Sequence, residues 1–161
     1  MYSAQFDDTQ EFFTYFMGGY GTITIVNPTT SCRLTYQFKK PKWTKDGKRK
    51  PARELPTSKQ DTRPIFIRVL NGPQNTSDYQ FIGTFFPESM RFCHSHKSKI
   101  HANAKSVKAF AWLVRHINNE DLVKRLEIWH ERKCGRCGRK LTVPASIAAG
   151  IGPECAEKMG F

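Results

Sequence analysis

The chain has 161 residues, a net charge of +12 and 39% apolar residues, enough for one core with a small appended module. Twelve Phe among 12% aromatics argue against wholesale disorder. No apolar run approaches the ~20 residues that span a bilayer, and the acidic start MYSAQFDDTQ lacks the basic and apolar regions of a secretory signal. Five cysteines with no export signal read as reduced thiols in a cytoplasmic protein, so metal binding is a better reading than disulfides.

Asp7 and Asp8 are N-cap candidates for a helix over about 9–17. Phe12, Phe13 and Phe16 lie there at helical spacing, and Gly18-Gly19 stops it. GTITIVN (21–27) and CRLTYQF (32–38) alternate around NPTT and predict a β-hairpin. Ile23, Ile25, Leu34, Tyr36 and Phe38 are its candidates for the buried face. Residues 39–63 are rich in Lys, Pro and polar side chains without periodicity, which reads as a long loop. PIFIRVL (64–70) and YQFIGTFF (79–86) predict a second hairpin around NGPQNTSD, and a further strand falls near 90–94. Asn103 or Ser106 opens a helix to about 117, with Val107, Phe110, Ala111 and Val114 as its apolar stripe. A shorter helix covers 119–125, and LEIWH (126–130) alternates like a strand leading into the cysteine-rich end.

The expected fold is therefore α+β. A small antiparallel sheet of two hairpins, covered by helices on one side, occupies residues 1–125. A zinc-ribbon or treble-clef-like module over 126–161 closes it.

That module carries the most specific signal. Cys134 and Cys137 form C-x-x-C, with Gly135 and Gly138 allowing a tight turn of backbone N–H groups around the sulfurs. Cys155 follows near the start of a short helix opened by Pro153. Three thiolates leave tetrahedral zinc one ligand short. His130 is the nearest candidate and would complete a structural Cys3His site. Cys93, His94, His96 and His101 compete for that place, and an open position holding water is the third option. Buried reduced cysteines in a metal-free turn are the plainest alternative.

The positive charge is clustered, and a polyanion is its natural partner. Lys39, Lys40, Lys42, Lys45, Lys48, Arg49, Lys50 and Arg53 crowd the long loop, together with Trp43. Arg91, Lys97, Lys99, Lys105 and Lys108 form a second cluster, and Arg132, Lys133, Arg136, Arg139 and Lys140 a third. Nucleic acid is expected to meet the 39–53 loop and Arg136, Arg139 and Lys140 through its phosphates. Single strands are favoured over duplex, because no recognition helix is evident. Trp43 is the stacking candidate, while Phe66 and Phe81 are expected in the core.

Residues 134–155 resemble an uncharacterised zinc-ribbon-like family of phage and actinobacterial proteins. Its pattern, C-x-x-C-G-R-x-L-T-x-P-x-S-I-x-x-G-I-G-P-x-C, is met at every position. A looser likeness adds V-L-x-G-P-x-N at Val69, Leu70, Gly72, Pro73 and Asn75, while Gly18 to Thr22 depart from a strand typical of such proteins. The resemblance implies a phage or mobile-element origin, hence the cytoplasm of a bacterial host, and no catalytic assignment. Within the pattern, Pro144 and Ser146 fit a helix start, and Gly150 and Gly152 fit turns with φ > 0.

Two rival readings stand beside nucleic-acid binding. One is a small inhibitor of a host enzyme or defence complex, anti-CRISPR-like, contacting a host nucleoprotein complex through protein or guide RNA. The other is a metal-dependent nuclease using His94, His96 or His101, although no His-Asn-His spacing or paired-carboxylate cluster supports it.

Overall fold

A computed structural model describes residues 3–41 and 63–159. In chain order the first elements are β1 (Ala4–Gln5), α1 (Thr9–Gly18), β2 (Tyr20–Val26) and β3 (Arg33–Lys39). Then come β4 (Ile65–Leu70), β5 (Tyr79–Phe86), β6 (Arg91–His94), α2 (Lys105–Arg115) and α3 (Leu122–Arg125). β7 (Glu127–His130), α4 (Pro144–Ala149) and α5 (Pro153–Lys158) finish the described chain.

Local chemistry sets most of these boundaries. The Asp8 carboxylate accepts the Gln10 N–H at 2.7 Å and so caps α1, whose far end is Gly19 at φ 72°. α2 begins on Ala104 without a side-chain cap, so neither Asn103 nor Ser106 is its N-cap. Pro144 and Pro153 open α4 and α5, where a missing N–H costs nothing.

All strand pairs are antiparallel, and the described strands form one seven-stranded sheet in the order β1-β7-β2-β3-β4-β5-β6. β7 lies within the sheet between β1 and β2, so the strand leading to the cysteines belongs to the sheet.

Helices cover one face of the sheet, as their aromatic contacts record. Phe16 of α1 packs against Phe38, Phe85 and Phe110 at ring distances of 5.2, 4.9 and 6.1 Å. Phe110 of α2 meets Tyr36 and Phe92 at 5.0 and 4.9 Å. Each of these large side chains, when fully buried, contributes roughly 1.5–3 kcal/mol. The Tyr36 hydroxyl donates to the Ser106 carbonyl at 2.6 Å, tying β3 to the start of α2.

The other face differs from expectation. A register shift between Ile67 and Arg68 buries Ile82 and Gly83 together. Phe66 pairs with Lys39 and Thr84, and Phe81 pairs with Arg68. Paired residues share a face, so Phe66 and Phe81 leave the core and join the charged side.

Candidate metal centre

Residues 131–159 fold as a second, smaller core of Cys134, Leu141, Ile151, Cys155 and Met159. Met17 of α1 packs against both cores and joins them. Two glycines let the join close. A Cβ on Gly18 would fall 2.5 Å from the Gly135 carbonyl oxygen, and one on Gly135 would fall 2.5 Å from the Tyr15 ring. The Gly135 carbonyl in turn accepts the Tyr20 N–H at 2.8 Å.

The cysteine loop turns through Gly138 at φ 78°, and Gly138 N–H donates to the Cys134 carbonyl at 2.8 Å. α4 ends on Gly150 at φ 72°. Gly152, expected in a similar turn, is instead extended at φ −72°. Pro144 and Ser146 fall in the first turn of α4, with Val143 as its N-cap.

The ligand atoms of Cys134, Cys137 and Cys155 lie within 4.8 Å of one another and could hold a metal ion. Cys134 and Cys155 are buried, while Cys137 faces solvent. Several donors address the sulfurs. Gly152 N–H donates to Cys134 at 3.5 Å, and Arg136 Nη1 donates to Cys155 at 3.6 Å. The Cys155 thiol also donates to Cys134. That bond, with the N–H groups of Gly152, Cys137 and Arg136, holds the Cys134 thiol well below its ordinary range against its burial. The same bond, followed by burial, pushes Cys155 up. The lowered Cys134 thiol favours the thiolate form that a metal ligand needs.

His130 does not join the group. It shares the inward face of β7 with buried Ile128, and its ring packs on Phe6 and Tyr15 at 4.6 and 5.5 Å. Its Nδ1 accepts the Arg132 N–H at 3.1 Å. Burial lowers its pKa to about 4; the Arg132 charge adds to this, and the Ile147 backbone opposes it. A strand fixes which face each residue presents, and here it turns His130 into the main core. The competing histidines are engaged locally. His94 Nε2 meets the Ile100 carbonyl at 2.8 Å, and His101 Nδ1 accepts the Asn103 N–H at 3.0 Å. Neither they nor His96 and Cys93 belong to a metal-binding group among the described residues.

The expected cationic contacts fall in different places. Arg136, Arg139 and Lys140 line one cleft of about 260 Å³ with the three cysteines and Lys158. Glu154 is the acid lining that cleft. Arg136 Nη2 is buried there with no hydrogen-bond partner. Lys39 is exposed at the end of β3. Lys40 donates to the Met17 carbonyl at 2.9 Å, in the last turn of α1, which is a structural use of the charge. Lys42, Trp43, Lys45, Lys48, Arg49, Lys50 and Arg53 lie outside the described residues. Sequence reasoning missed the role of Arg136 as a partner of the Cys155 sulfur. Its place inside C-x-x-C was the available signal.

No helix among the described residues is long and apolar enough to cross a membrane. The profile of a family of unknown function (DUF6011) matches residues 128–160, the end of β7 and the cysteine module. No curated protein and no solved structure matches the chain.

Proposed function

We propose that the protein binds nucleic acid, with one zinc ion holding the cysteine module together and the cations beside it meeting phosphate. The observation that carries this is Arg136 Nη2, a buried guanidinium nitrogen with no partner in a cleft rimmed by Arg139, Lys140 and Lys158. A charged donor left without an acceptor in the interior is costly, and a phosphate oxygen would satisfy it.

Zinc suits the donor set, since thiolates favour it and it needs no redox partner. Cys134, Cys137 and Cys155 would hold the ion, and the exposure of Cys137 would leave it open to solvent. Three thiolates more than neutralise a dication, which blunts its power to activate water. Arg136 balances the excess charge. The ion therefore acts as a cross-link between the Cys134–Cys137 turn and α5.

The test pairs metal analysis with a titration. The purified chain is expected to carry about one zinc, as a site of this kind requires. Fluorescence anisotropy against single-stranded and duplex oligonucleotides is expected to show affinity falling steeply with salt. Replacing Arg139 and Lys140 with Ala is expected to reduce the log–log salt slope by roughly 1.5. A metal-free folded protein would remove the zinc cross-link. An unchanged slope would remove the cleft from the interface.

A further inference from the structure

The face of the sheet turned away from α1 and α2 carries three cross-strand rows of one chemical character. The first runs Tyr20–Lys39–Phe66–Thr84 and the second Thr22–Gln37–Arg68–Phe81. The third runs Trp129–Thr24–Thr35. Aromatic rings alternate with cations and with hydroxyl or amide groups, and these three rows hold no Asp or Glu; the neighbouring row Arg33–Val26–Glu127 holds one.

The rings are available. Tyr20 is 42% exposed and Phe66 37%. Phe66 and Phe81 meet edge to face at 6.2 Å, which leaves ring area open to water. Trp129 and Tyr79 line a groove of about 500 Å³ on this face together with Arg33, Thr24 and Thr35. The acid lining that groove is Glu131.

We propose that this face is a stacking platform for single-stranded nucleic acid. Bases lie on Phe66, Phe81 and Trp129, while Lys39, Arg68 and Arg33 meet the phosphates between them. This rests on the nucleic-acid reading above and adds to it a surface that touches bases. Charge complementarity names the occupant, since Lys39, Arg68 and Arg33 outnumber Glu127 and Glu131 on this face and so favour a polyanion. Flat rings on a pleated sheet make it a single strand, since a duplex hides its base faces inside the helix. Thr22, Thr24, Thr35 and Gln37 offer hydrogen bonds to base edges between the rings.

The experiment uses the full chain as purified. Its probes are fluorescein-labelled oligothymidylate and oligouridylate of about 20 nucleotides, and a DNA duplex of the same length. Phe66→Ala and Phe81→Ala are each expected to weaken single-strand binding about tenfold and to leave duplex binding unchanged. Phe66→Trp, which keeps a stacking ring, is expected to bind like the wild type. Single-strand affinities unchanged in both Ala variants would overturn the platform. Equal losses on single strand and duplex would overturn it too, because a duplex offers no open base. In both cases the phosphate-binding reading stands. A wild-type chain that binds none of the probes would overturn both proposals. The two single strands separate DNA from RNA as the natural ligand.

Discussion

His130 shows how one residue can look like a ligand and serve as core. Buried against Phe6 and Tyr15, it is held neutral, with its pKa lowered to about 4. In the unfolded chain it titrates near its ordinary value, so between those two values the unfolded state binds the extra proton. Stability from this residue is therefore complete above about pH 6.5 and is lost as pH falls toward 4, on the order of 3 kcal/mol in all. His130→Gln stays neutral throughout and can still accept the Arg132 N–H. Denaturant melts from pH 7 to pH 4.5 are expected to show a shallower loss in that variant than in the wild type. Parallel curves would mean that another group titrates. The spacing H-x3-C was legible in the sequence, but so was the alternation that pairs His130 with Ile128. In a strand the alternation governs, because successive side chains face opposite ways.

At the scale of elements, the contact between α1 and the cysteine turn decides how firmly the module is held. Gly18 closes α1, and an Ala there would raise helix propensity by up to about 1 kcal/mol. The new methyl would also meet the backbone of Gly135 at 2.5 Å, where no flexible side chain can yield. Overpacking of this kind costs about 1–3 kcal/mol, so the clash outweighs the propensity. Gly18→Ala is expected to lower the melting temperature by several degrees and to speed proteolysis between β7 and α4. A rise in melting temperature would show that the turn can move aside. Nearly every element was legible from its pattern: the capped α1, the alternating β2 to β5, the amphipathic α2 and the short proline-led helices. Two things were not. β1 is two residues long and has no period to read. Phe66 and Phe81 were expected inside because large apolar side chains usually bury. Yet Phe66 shares its parity with Arg68, and the bulge at Ile82 is what carries Phe81 to the same side.

For the whole molecule, the two cores are joined through Met17, the Gly18–Gly135 approach and β7. With the proposed zinc in place, a chelator strong enough to strip it is therefore expected to lower the melting temperature of the entire chain in a single transition. Tryptophan emission, which includes Trp129 on β7, reports on the sheet in that experiment. Two separate transitions, with the sheet unmoved, would make the module an independent appendage. The net charge of +12 was plain from composition, but its distribution was not. Strand pairing brings Lys39 beside Phe66 and Arg68 beside Phe81, and linear sequence cannot display such neighbours.

The position of β7 also governs the order of events during synthesis. Its partners in β2 are about a hundred residues earlier in the chain, so this pairing is among the last that a growing chain can make. Until β7 emerges from the ribosome, β2 presents a bare rim of amide and carbonyl groups, open to pairing with other chains. Only four residues past that strand comes the first of the clustered cysteines. The third sulfur, Cys155, comes about 25 residues past β7, so the rim can close before the proposed ion is held by all three thiols.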